Sequence, residues 1–347
     1  MICQRNFILI FLPKKQHFYD KKTRFRDFIP NFVKRGKQIA LKKTQKNLLM
    51  LSILIPTCNF DCSALVEALW LQAEALRKKR EGEFDFEIIV SDDASSNRQV
   101  LESLETVARA HQEVHILYQP TRLGRAANRN VLIQQSRMPW LLFIDSDAEV
   151  CTPDFIARYW EARHSADVVC GSLRVGEWRK GAELRYRYEK RASTVSAAER
   201  NSDPYMKFTT FNVMMKREVT DEVTFEDSCK GYGHEDTLFG LDLRSASKTV
   251  VHIDNPLIHT GLDSNEAFLQ KCVEALHALH GLPQLQQYVG ASRVFLLLQR
   301  CHLAPALRFF AKVLVPLIRR NLLSNHPSLL LLDIFKLLEY ARLAEEK

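Results

Sequence analysis

Short apolar runs rich in β-branched residues alternate with longer amphipathic segments from residue 51 onward. The predicted strands and helices, in chain order, span residues 51–55, 61–80, 86–90, 97–110, 114–118, 124–136 and 140–144. Strands that alternate with helices of this length are typical of a parallel sheet with helices on its faces. We therefore expect an α/β fold built on a Rossmann-like sheet flanked by helices.

The pattern changes after residue 150, where weaker strand candidates occupy residues 168–172, 208–215 and 250–253. From residue 266 to the end the pattern is helical. Pro305, Pro316 and Pro327 are predicted to break these helices, because proline cannot continue the backbone hydrogen bonding. The expected organisation is a leader at residues 1–49, a catalytic domain at 50–265 and a helical C-terminal region at 266–347.

The first 49 residues carry most of the positive charge of the chain. They hold 13 Lys and Arg against 2 Asp, whereas the remaining residues hold 36 basic and 39 acidic side chains. A basic leader with scattered aromatics indicates a flexible arm or a nucleic-acid patch. The strand pattern directly after Met50 indicates instead that Met50 is the true start, and both interpretations stay open. The acidic balance of the body predicts no nucleic-acid partner for it.

Eight cysteines are spread singly along the chain, and no C-x-x-C pair is present. This distribution is typical of buried, reduced thiols in a cytoplasmic protein. The sequence contains no stretch of about 18 uninterrupted apolar residues, so no transmembrane helix is predicted.

Polar residues follow three of the predicted strands at the point where each strand ends. They are residues 57–59, 91–95 and 145–147. Ligands of open parallel sheets bind beyond the carboxyl ends of the strands. We therefore expect these three segments to share one binding site.

Asp145 and Asp147 are the strongest single signal, since they stand one residue apart directly after a buried strand. Hard divalent cations such as Mg²⁺ or Mn²⁺ prefer oxygen ligands, and a cation held here would leave positions for a diphosphate. Such a cation would neutralise the charge that develops on a leaving group. The alternative is that both carboxylates cap the turn or helix that follows.

Asp92 and Asp93 are the second signal, because a carboxylate after this strand can accept hydrogen bonds from the base or ribose of a nucleotide. A solvated turn is the alternative for this pair. Taken by itself, the pair favours the turn.

Residues 231–236, Gly-Tyr-Gly-His-Glu-Asp, combine glycines that permit a tight loop with two adjacent carboxylates. A carboxylate within hydrogen-bond reach of an acceptor hydroxyl can serve as its general base. The alternative is a helix N-cap, in which Asp236 opens a helix at residues 237–247.

His259 is a further candidate, because a neutral imidazole can complete a carboxylate-bound Mn²⁺ site. A lone histidine is also common in a protein core, and His252 competes for the same role. The sequence leaves this choice open.

These motifs, taken in order, resemble the signatures of family 2 glycosyltransferases with the GT-A fold. The resemblance covers roughly residues 50–265 and rests on residues 50–59, 90–95, 122–130 and 143–147. Residues 231–236 followed by His259 further resemble the subgroup that includes bacterial chondroitin polymerase and the β-1,4-galactosyltransferases. The resemblance implies a mixed GT-A sheet, a UDP-sugar donor and an inverting reaction that depends on Mn²⁺ or Mg²⁺.

The resemblance also implies roles for the matching residues. Asp236 would be the catalytic base, and Glu235 would contact the acceptor or the donor sugar. Asp147 and His259 would bind the metal, with Asp145 as a further candidate ligand. The residues implied to contact the nucleotide sugar are Pro56, Thr57, Asn59, Asp92, Asp93, Arg122, Asp145 and Ser146.

The chain departs from the family pattern at Cys58, Ala94 and Tyr232, where Tyr, Gly and Trp are more usual. Tyr232 keeps an aromatic surface on which a sugar ring could stack. Asn212 matches a recurrent asparagine of the family, although an asparagine at a strand edge is an equally good interpretation.

Residues 293–332 contain six Lys and Arg and no Asp or Glu, with leucines and phenylalanines between them. A basic amphipathic stretch of this kind binds anionic bilayer surfaces. The alternative is a helical subdomain that packs on the catalytic domain and turns its cationic face to water.

The combined expectation is a glycosyltransferase that moves a galactose-, N-acetylgalactosamine- or glucose-type hexose from a UDP-sugar to a glycan or lipid-linked acceptor. We expect it to act in cell-surface polysaccharide synthesis, in the cytoplasm or peripherally on the inner face of the cell membrane. One alternative is a nucleotidyltransferase, which normally needs a glycine-rich basic loop that residues 57–61 lack. The other is a non-catalytic nucleic-acid or membrane-binding protein, which only the basic leader and C-terminal stretch favour.

Overall fold

The computed structural model of the chain describes residues 49–225 and 233–344. The predicted leader, apart from Leu49, and Tyr232 of the 231–236 motif lie outside the described residues. The described residues form an eight-stranded mixed sheet with helices packed against it. The expected α/β class is therefore confirmed.

The first half of the sheet follows the predicted alternation closely. Its elements are β1 (Leu49–Thr57), α1 (Ser63–Lys79), β2 (Phe84–Asp92), α2 (Arg98–Ala110), β3 (Val114–Tyr118), α3 (Arg125–Gln135) and β4 (Trp140–Ile144). β1 pairs in parallel with β2 and β4, and β2 pairs in parallel with β3. The carboxyl ends of these strands consequently lie at one edge of the sheet.

The second half makes the sheet mixed. Its elements are β5 (Ala148–Val150), α4 (Phe155–Ala162), β6 (Val168–Val175), α5 (Glu183–Ser193), α6 (Ala197–Arg200), β7 (Asn212–Lys216), a 3₁₀ turn (Arg217–Asp221), α7 (Glu235–Ser245) and β8 (Val250–His259). The strand order is β3-β2-β1-β4-β7-β6-β8-β5, and β7 runs antiparallel to both β4 and β6. Short β5 pairs antiparallel with β8, which brings His259 beside Ala148.

The central strands are buried on both faces, which explains why they read as continuous apolar runs. Leu51, Ile53 and Ile55 of β1 point into one core with α1, α2 and α4. Leu54 points to the opposite face, where it packs with Phe143 and the helices α3 and α7.

The C-terminal helices are α8 (Asn265–His280), a 3₁₀ turn (Pro283–Leu285), α9 (Gly290–Arg300), α10 (Ala304–Leu322) and α11 (Leu329–Leu343). α8, α10 and α11 form a core that includes Leu184 of α5. A second core joins α8, α9 and α11 to Leu238 of α7. The C-terminal helices therefore share cores with helices of the sheet region.

The predicted helix break at Pro316 is wrong, because Pro316 lies inside α10. A proline in a helix interior costs about 3 kcal/mol. Burial of Ala311, Val315 and Ile318 along one face offsets this cost, since these side chains pack in the core shared with α8 and α11. Among the residues that the structure describes, no helix has the length and apolarity needed to span a bilayer.

Candidate active site

The carboxyl ends of β1 and β4 border a cleft of about 520 Å³. The predicted site residues on its wall are Pro56, Thr57, Asp93, Arg122, Asp145, Ser146, Asp147, Glu235, Asp236 and His259. The fold thus gathers side chains that are far apart in the sequence. Asn59 and Asp92, which were predicted with them, do not line this cleft.

Asp145 and Asp147 occupy the tight turn between β4 and β5. The backbone N–H of Asp145 donates to the carbonyl of Phe211 at 3.0 Å, which ties the turn to the start of β7. The carboxylate of Asp145 accepts a hydrogen bond from Nη2 of Arg129 at 2.8 Å. Desolvation raises the pKa of Asp145, and the nearby charge of Arg129 opposes that rise. Neither carboxylate caps α4, whose N-cap residue is Asp154.

His259 links Asp147 to a second, buried carboxylate. Its Nε2 lies 2.9 Å from Oδ2 of Asp147, and its Nδ1 lies 2.9 Å from Oε2 of Glu189. Glu189 is 3% exposed and also pairs with Arg185. Desolvation by itself would lower the pKa of His259, but the hydrogen bonds and charges of the two carboxylates outweigh it and raise the pKa to about 9. Burial would raise the pKa of Asp147, but the hydrogen bond from His259 outweighs this effect and lowers the pKa.

The pairing of Asp147 with His259 fits a divalent cation. Nε2 and Oδ2 are close enough to share one ion, and metal-binding histidines usually donate their other ring N–H to a carboxylate or carbonyl. Gly261 makes room for the pair, because a Cβ at this position would clash with the carboxylate of Asp147. Within residues 49–225 and 233–344 no cluster of three or more His, Cys, Asp or Glu side chains forms a metal site. A cation here would therefore take further oxygens from a bound ligand or water.

Glu235 and Asp236 form the first turn of α7, where the helix dipole favours negative charge. Nη1 of Arg125 donates to Oε1 of Glu235 at 3.1 Å, and Oγ1 of Thr210 donates to Oδ1 of Asp236 at 2.8 Å. The N-cap residue is His234, with φ of 72°. The alternative in which Asp236 caps a helix over residues 237–247 is therefore wrong, because the chain turns into the helix before it reaches Asp236.

The two adjacent carboxylates differ in proton affinity. Burial raises the pKa of Asp236, and the like charges of Glu235 and Asp145 add to this rise while Arg129 opposes it. The pKa of Glu235 is lowered instead, because the charges of Arg125 and Arg129 outweigh its desolvation. The surroundings therefore favour proton uptake at Asp236 and oppose it at Glu235.

Asp93 shapes the loop between β3 and α3. Its two carboxylate oxygens accept hydrogen bonds from the backbone N–H groups of Leu123 at 2.6 Å and Gly124 at 3.0 Å. The same loop carries Arg122, an exposed side chain on the cleft wall. On the neighbouring loop, Thr57 donates its hydroxyl to a backbone carbonyl three residues on, at 2.8 Å. Both side chains thus hold the loops that form this end of the cleft.

Asn59 and Asp92 brace these loops through hydrogen bonds outside the cleft. Oδ1 of Asn59 accepts from the backbone N–H of Ser96 at 2.8 Å and of Asn97 at 3.1 Å. The carboxylate of Asp92 accepts from the backbone N–H of Ser95 at 3.0 Å and from its hydroxyl. Their positions do not support the expected nucleotide contacts, because both side chains accept hydrogen bonds from the backbone of the turn that follows β2.

Three further side chains belong to the site and were not singled out from the sequence. Arg129 lies within the 122–130 motif, is 4% exposed, and contacts Asp145. Its Nε and Nη1 have no hydrogen-bond partner among the described residues. Thr210 and Glu189 lie in segments without a recognisable motif, so only the fold reveals them.

The strand order and the carboxylate turn at the end of β4 place the chain among α/β enzymes with the GT-A fold. Residues 52–224 match the profile described as Glycosyl transferase family 2, and the chain belongs to that family. The match favours a glycosyltransferase over the nucleotidyltransferase and the non-catalytic binding protein.

Two curated proteins of Haemophilus influenzae, each described as an uncharacterized glycosyltransferase, are similar to part of the chain. One is 34% identical over 100 residues, which are 28% of this chain and 29% of the relative. The other is 27% identical over 111 residues, which are 32% of this chain and 39% of the relative. The chain therefore spans less than half the length of these relatives.

Two solved structures are also similar in fold. The mannosyltransferase PcManGT from Pyrobaculum calidifontis, in complex with GDP-Man and Mn²⁺, is 14% identical with a TM-score of 0.48 over 71% of this chain and 70% of that chain. Staphylococcus aureus TarS 1–349 in complex with UDP-GlcNAc is 18% identical with a TM-score of 0.43 over 66% of each chain.

Proposed function

We propose that this protein transfers a sugar from a nucleotide diphosphate donor to an acceptor hydroxyl, with inversion at the anomeric carbon. The observation that carries the proposal is the convergence of Asp147, His259 and Asp236 on one cleft. Asp147 and His259 could hold a cation at the diphosphate of a donor, and Asp236 could take the proton of an acceptor hydroxyl. Family membership supports the same reaction class.

The donor in this proposal is a UDP-hexose of the galactose, N-acetylgalactosamine or glucose type. Its nucleoside would lie against Pro56 and Thr57, beside the loop that Asp93 holds. Arg122 would meet the base or the diphosphate from the exposed wall of the cleft. Asp145 and Ser146 would face the ribose, where the hydrogen bond from Arg129 keeps the Asp145 side chain in place.

Asp147 and His259 would hold the Mn²⁺ or Mg²⁺, with Asp145 as a third candidate ligand. A bound cation would neutralise negative charge on the departing diphosphate. Glu189 would keep the His259 ring in the orientation that turns Nε2 toward Asp147.

Asp236 would act as the general base. As the acceptor oxygen bonds to the anomeric carbon, the bond from that carbon to the diphosphate breaks, and the hydroxyl proton passes to the Asp236 carboxylate. A single displacement of this kind inverts the configuration. The raised pKa of Asp236 strengthens it as a base, and Thr210 orients its carboxylate.

The acceptor would be a glycan hydroxyl, carried on an oligosaccharide or on a lipid, in the synthesis of a cell-surface polysaccharide. The protein would work in the cytoplasm or on the inner face of the cell membrane. These assignments follow the sequence resemblance.

A panel of nucleotide sugars tests the proposal. The full chain is incubated with UDP-galactose, UDP-N-acetylgalactosamine, UDP-glucose or GDP-mannose, with Mn²⁺ or with EDTA, and release of the nucleoside diphosphate is measured. We expect Mn²⁺-dependent release from at least one UDP-sugar and background release with EDTA. No release above background from any donor would contradict the proposal, and release from GDP-mannose alone would contradict the UDP assignment.

A further inference from the structure

Helix α10 has two opposite faces that are both apolar. Ala311, Val315, Ile318 and Leu322 are buried in the core shared with α8 and α11. On the other side lies a group that we call the α10 apolar face, whose members are Phe309 at 66% exposure, Phe310 at 52%, Val313 at 54% and Leu317 at 55%. Contiguous exposed side chains of this size mark interaction surfaces in soluble domains.

Basic residues accompany this face. Lys312, Arg319 and Arg320 are exposed on α10, where Arg319 also contacts Glu266 of α8 at 3.2 Å. Residues 293–332 themselves contain no Asp or Glu. The i, i+4 and i+11 spacing places three of these side chains on one side of the helix, namely Phe309, Val313 and Arg320. The exposed side of α10 thus combines aromatic and aliphatic side chains with positive charge.

We propose that the α10 apolar face docks on the surface of an anionic lipid bilayer. A helix with exposed Phe and Leu beside Lys and Arg inserts its apolar side at the headgroup boundary, while its cations meet anionic lipid. The charge argues against two other occupants. Residues 1–49 carry a net charge of +11, and a second copy would present the same basic face, so both would be repelled.

The helix that carries the docking face shares a core with two helices of the cleft wall. The core that buries the inner side of α10 includes Leu184 of α5 and Cys272 of α8. Their sequence neighbours Arg185 and Lys271 line the cleft. The same helices therefore support both surfaces, which suits an acceptor carried on a membrane lipid. The proposal itself does not depend on the transfer reaction.

Co-sedimentation of the full chain with lipid vesicles tests this surface. The vesicles contain phosphatidylcholine alone or with 30% phosphatidylglycerol, and the variants are Phe309→Ser with Val313→Ser, and Lys312→Gln with Arg320→Gln. We expect the charge-removing pair to weaken binding to anionic vesicles about 25-fold, at about 1 kcal/mol per basic residue. The apolar pair is expected to weaken it at least about tenfold. Leu71→Ser, which removes a 54% exposed leucine on α1, is the matched control and is expected to bind like the unaltered chain.

A second measurement separates docking of α10 from binding by the basic residues 1–49. In Phe309→Trp, brominated lipid should quench tryptophan emission beyond the quenching seen in the unaltered chain, because the new indole enters the bilayer. The proposal is overturned if the apolar pair binds anionic vesicles as tightly as the unaltered chain does. It is also overturned if Phe309→Trp adds no quenching. A further contradicting result is an unaltered chain that does not bind vesicles and instead forms a dimer, which the Phe309→Ser and Val313→Ser changes dissociate.

Discussion

At the scale of single residues, the site depends on a short chain of polar contacts from the cleft into the protein interior. Asp147 contacts His259, and His259 contacts Glu189, which is buried and paired with Arg185. A histidine held in this way has one ring orientation and one nitrogen turned to the cleft. Glu189 is therefore a positioning residue in this account, since it would act on a cation only through His259.

Replacing Glu189 by Gln should weaken Mn²⁺ binding about 10- to 100-fold, because removal of such an outer carboxylate loosens the ligand histidine. Mn²⁺ affinity is measured directly from the electron paramagnetic resonance signal of the free ion. Glu183→Gln is the matched control, since Glu183 lies on the same helix and is also 3% exposed but hydrogen-bonds Asn265 instead. Equal Mn²⁺ affinities for both variants and the unaltered chain would remove the positioning role.

Replacing Asp236 by Asn should lower turnover about 10²- to 10⁴-fold, because the Asn amide cannot take up the proton of the acceptor hydroxyl. Binding of UDP should stay nearly unchanged, since Asp236 lies on α7 and not on the loops that would hold the nucleotide. Initial rates and calorimetric UDP titrations measure the two effects. Normal turnover by this variant would transfer the base role to Glu235.

The pH profile provides an independent check on Asp236. A base must lose its proton before it can act, so the rate should fall as the pH drops through the pKa of Asp236, which burial raises above the usual value of an aspartate. The profile of kcat/KM between pH 4 and 8 measures this limb. A rate that stays constant down to pH 4 would contradict the assignment.

A motif at a strand end predicted which side chains reach the cleft, as at Asp145, Asp147 and Asp93, whereas the roles expected of them stay predictions. Asn59 and Asp92 show the limit of that reasoning, because a polar residue at a strand end also serves the turn itself. Glu189 could not be predicted, since a buried carboxylate is recognisable only once its partner His259 is placed beside it.

At the scale of elements, the buried parallel strands were the most predictable part of the chain. β3 and β4 cover the residues predicted for them, because short apolar runs between helices leave few alternatives. α5 was missed, since its sequence is highly charged and lacks an apolar stripe. It is held instead by contacts such as Arg185 over the ring of Phe268 at 4.9 Å and Lys336 over Tyr188 at 4.8 Å.

In the second half of the sheet, Asp167 precedes β6 and links it to both neighbouring strands. Its carboxylate contacts Nζ of Lys216 at 2.8 Å and accepts from the backbone N–H of Thr249 at 2.9 Å, so it ties β6 to β7 and β8. The hydrogen bonds from Lys216 and Thr249 lower the pKa of Asp167 to about 2. This stabilisation is complete above the ordinary carboxyl pKa and is lost as the pH falls through about 2.

Asp167→Asn should therefore lower the free energy of unfolding at pH 7, and the difference from the unaltered chain should shrink as the pH falls from 4 to 2. Urea denaturation at a series of pH values measures it. Glu149→Gln changes an exposed carboxylate on β5; it is the control and should show little difference at any pH. A difference that stays constant down to pH 2 would contradict the role given to this contact.

At the scale of the whole molecule, the parts of the site that define its chemistry come from different regions of the chain. The family match ends at residue 224, whereas Asp236 and His259 lie after it, and Lys271 of α8 adds to the cleft wall from beyond residue 265. The sheet could be predicted as an architecture from the alternation of elements. The packing of α8 to α11 could not, because it depends on long-range contacts between cores.

In the proposed reaction, Asp147 and His259 together hold a cation that a nucleotide diphosphate shares. Calorimetric titration of UDP into the unaltered chain and into Asp147→Ala, each with Mn²⁺ and with EDTA, tests it most directly. We expect EDTA to weaken UDP binding to the unaltered chain at least about tenfold, and Asp147→Ala to bind UDP equally weakly with Mn²⁺ and with EDTA. Tight UDP binding to both proteins regardless of Mn²⁺ would contradict it.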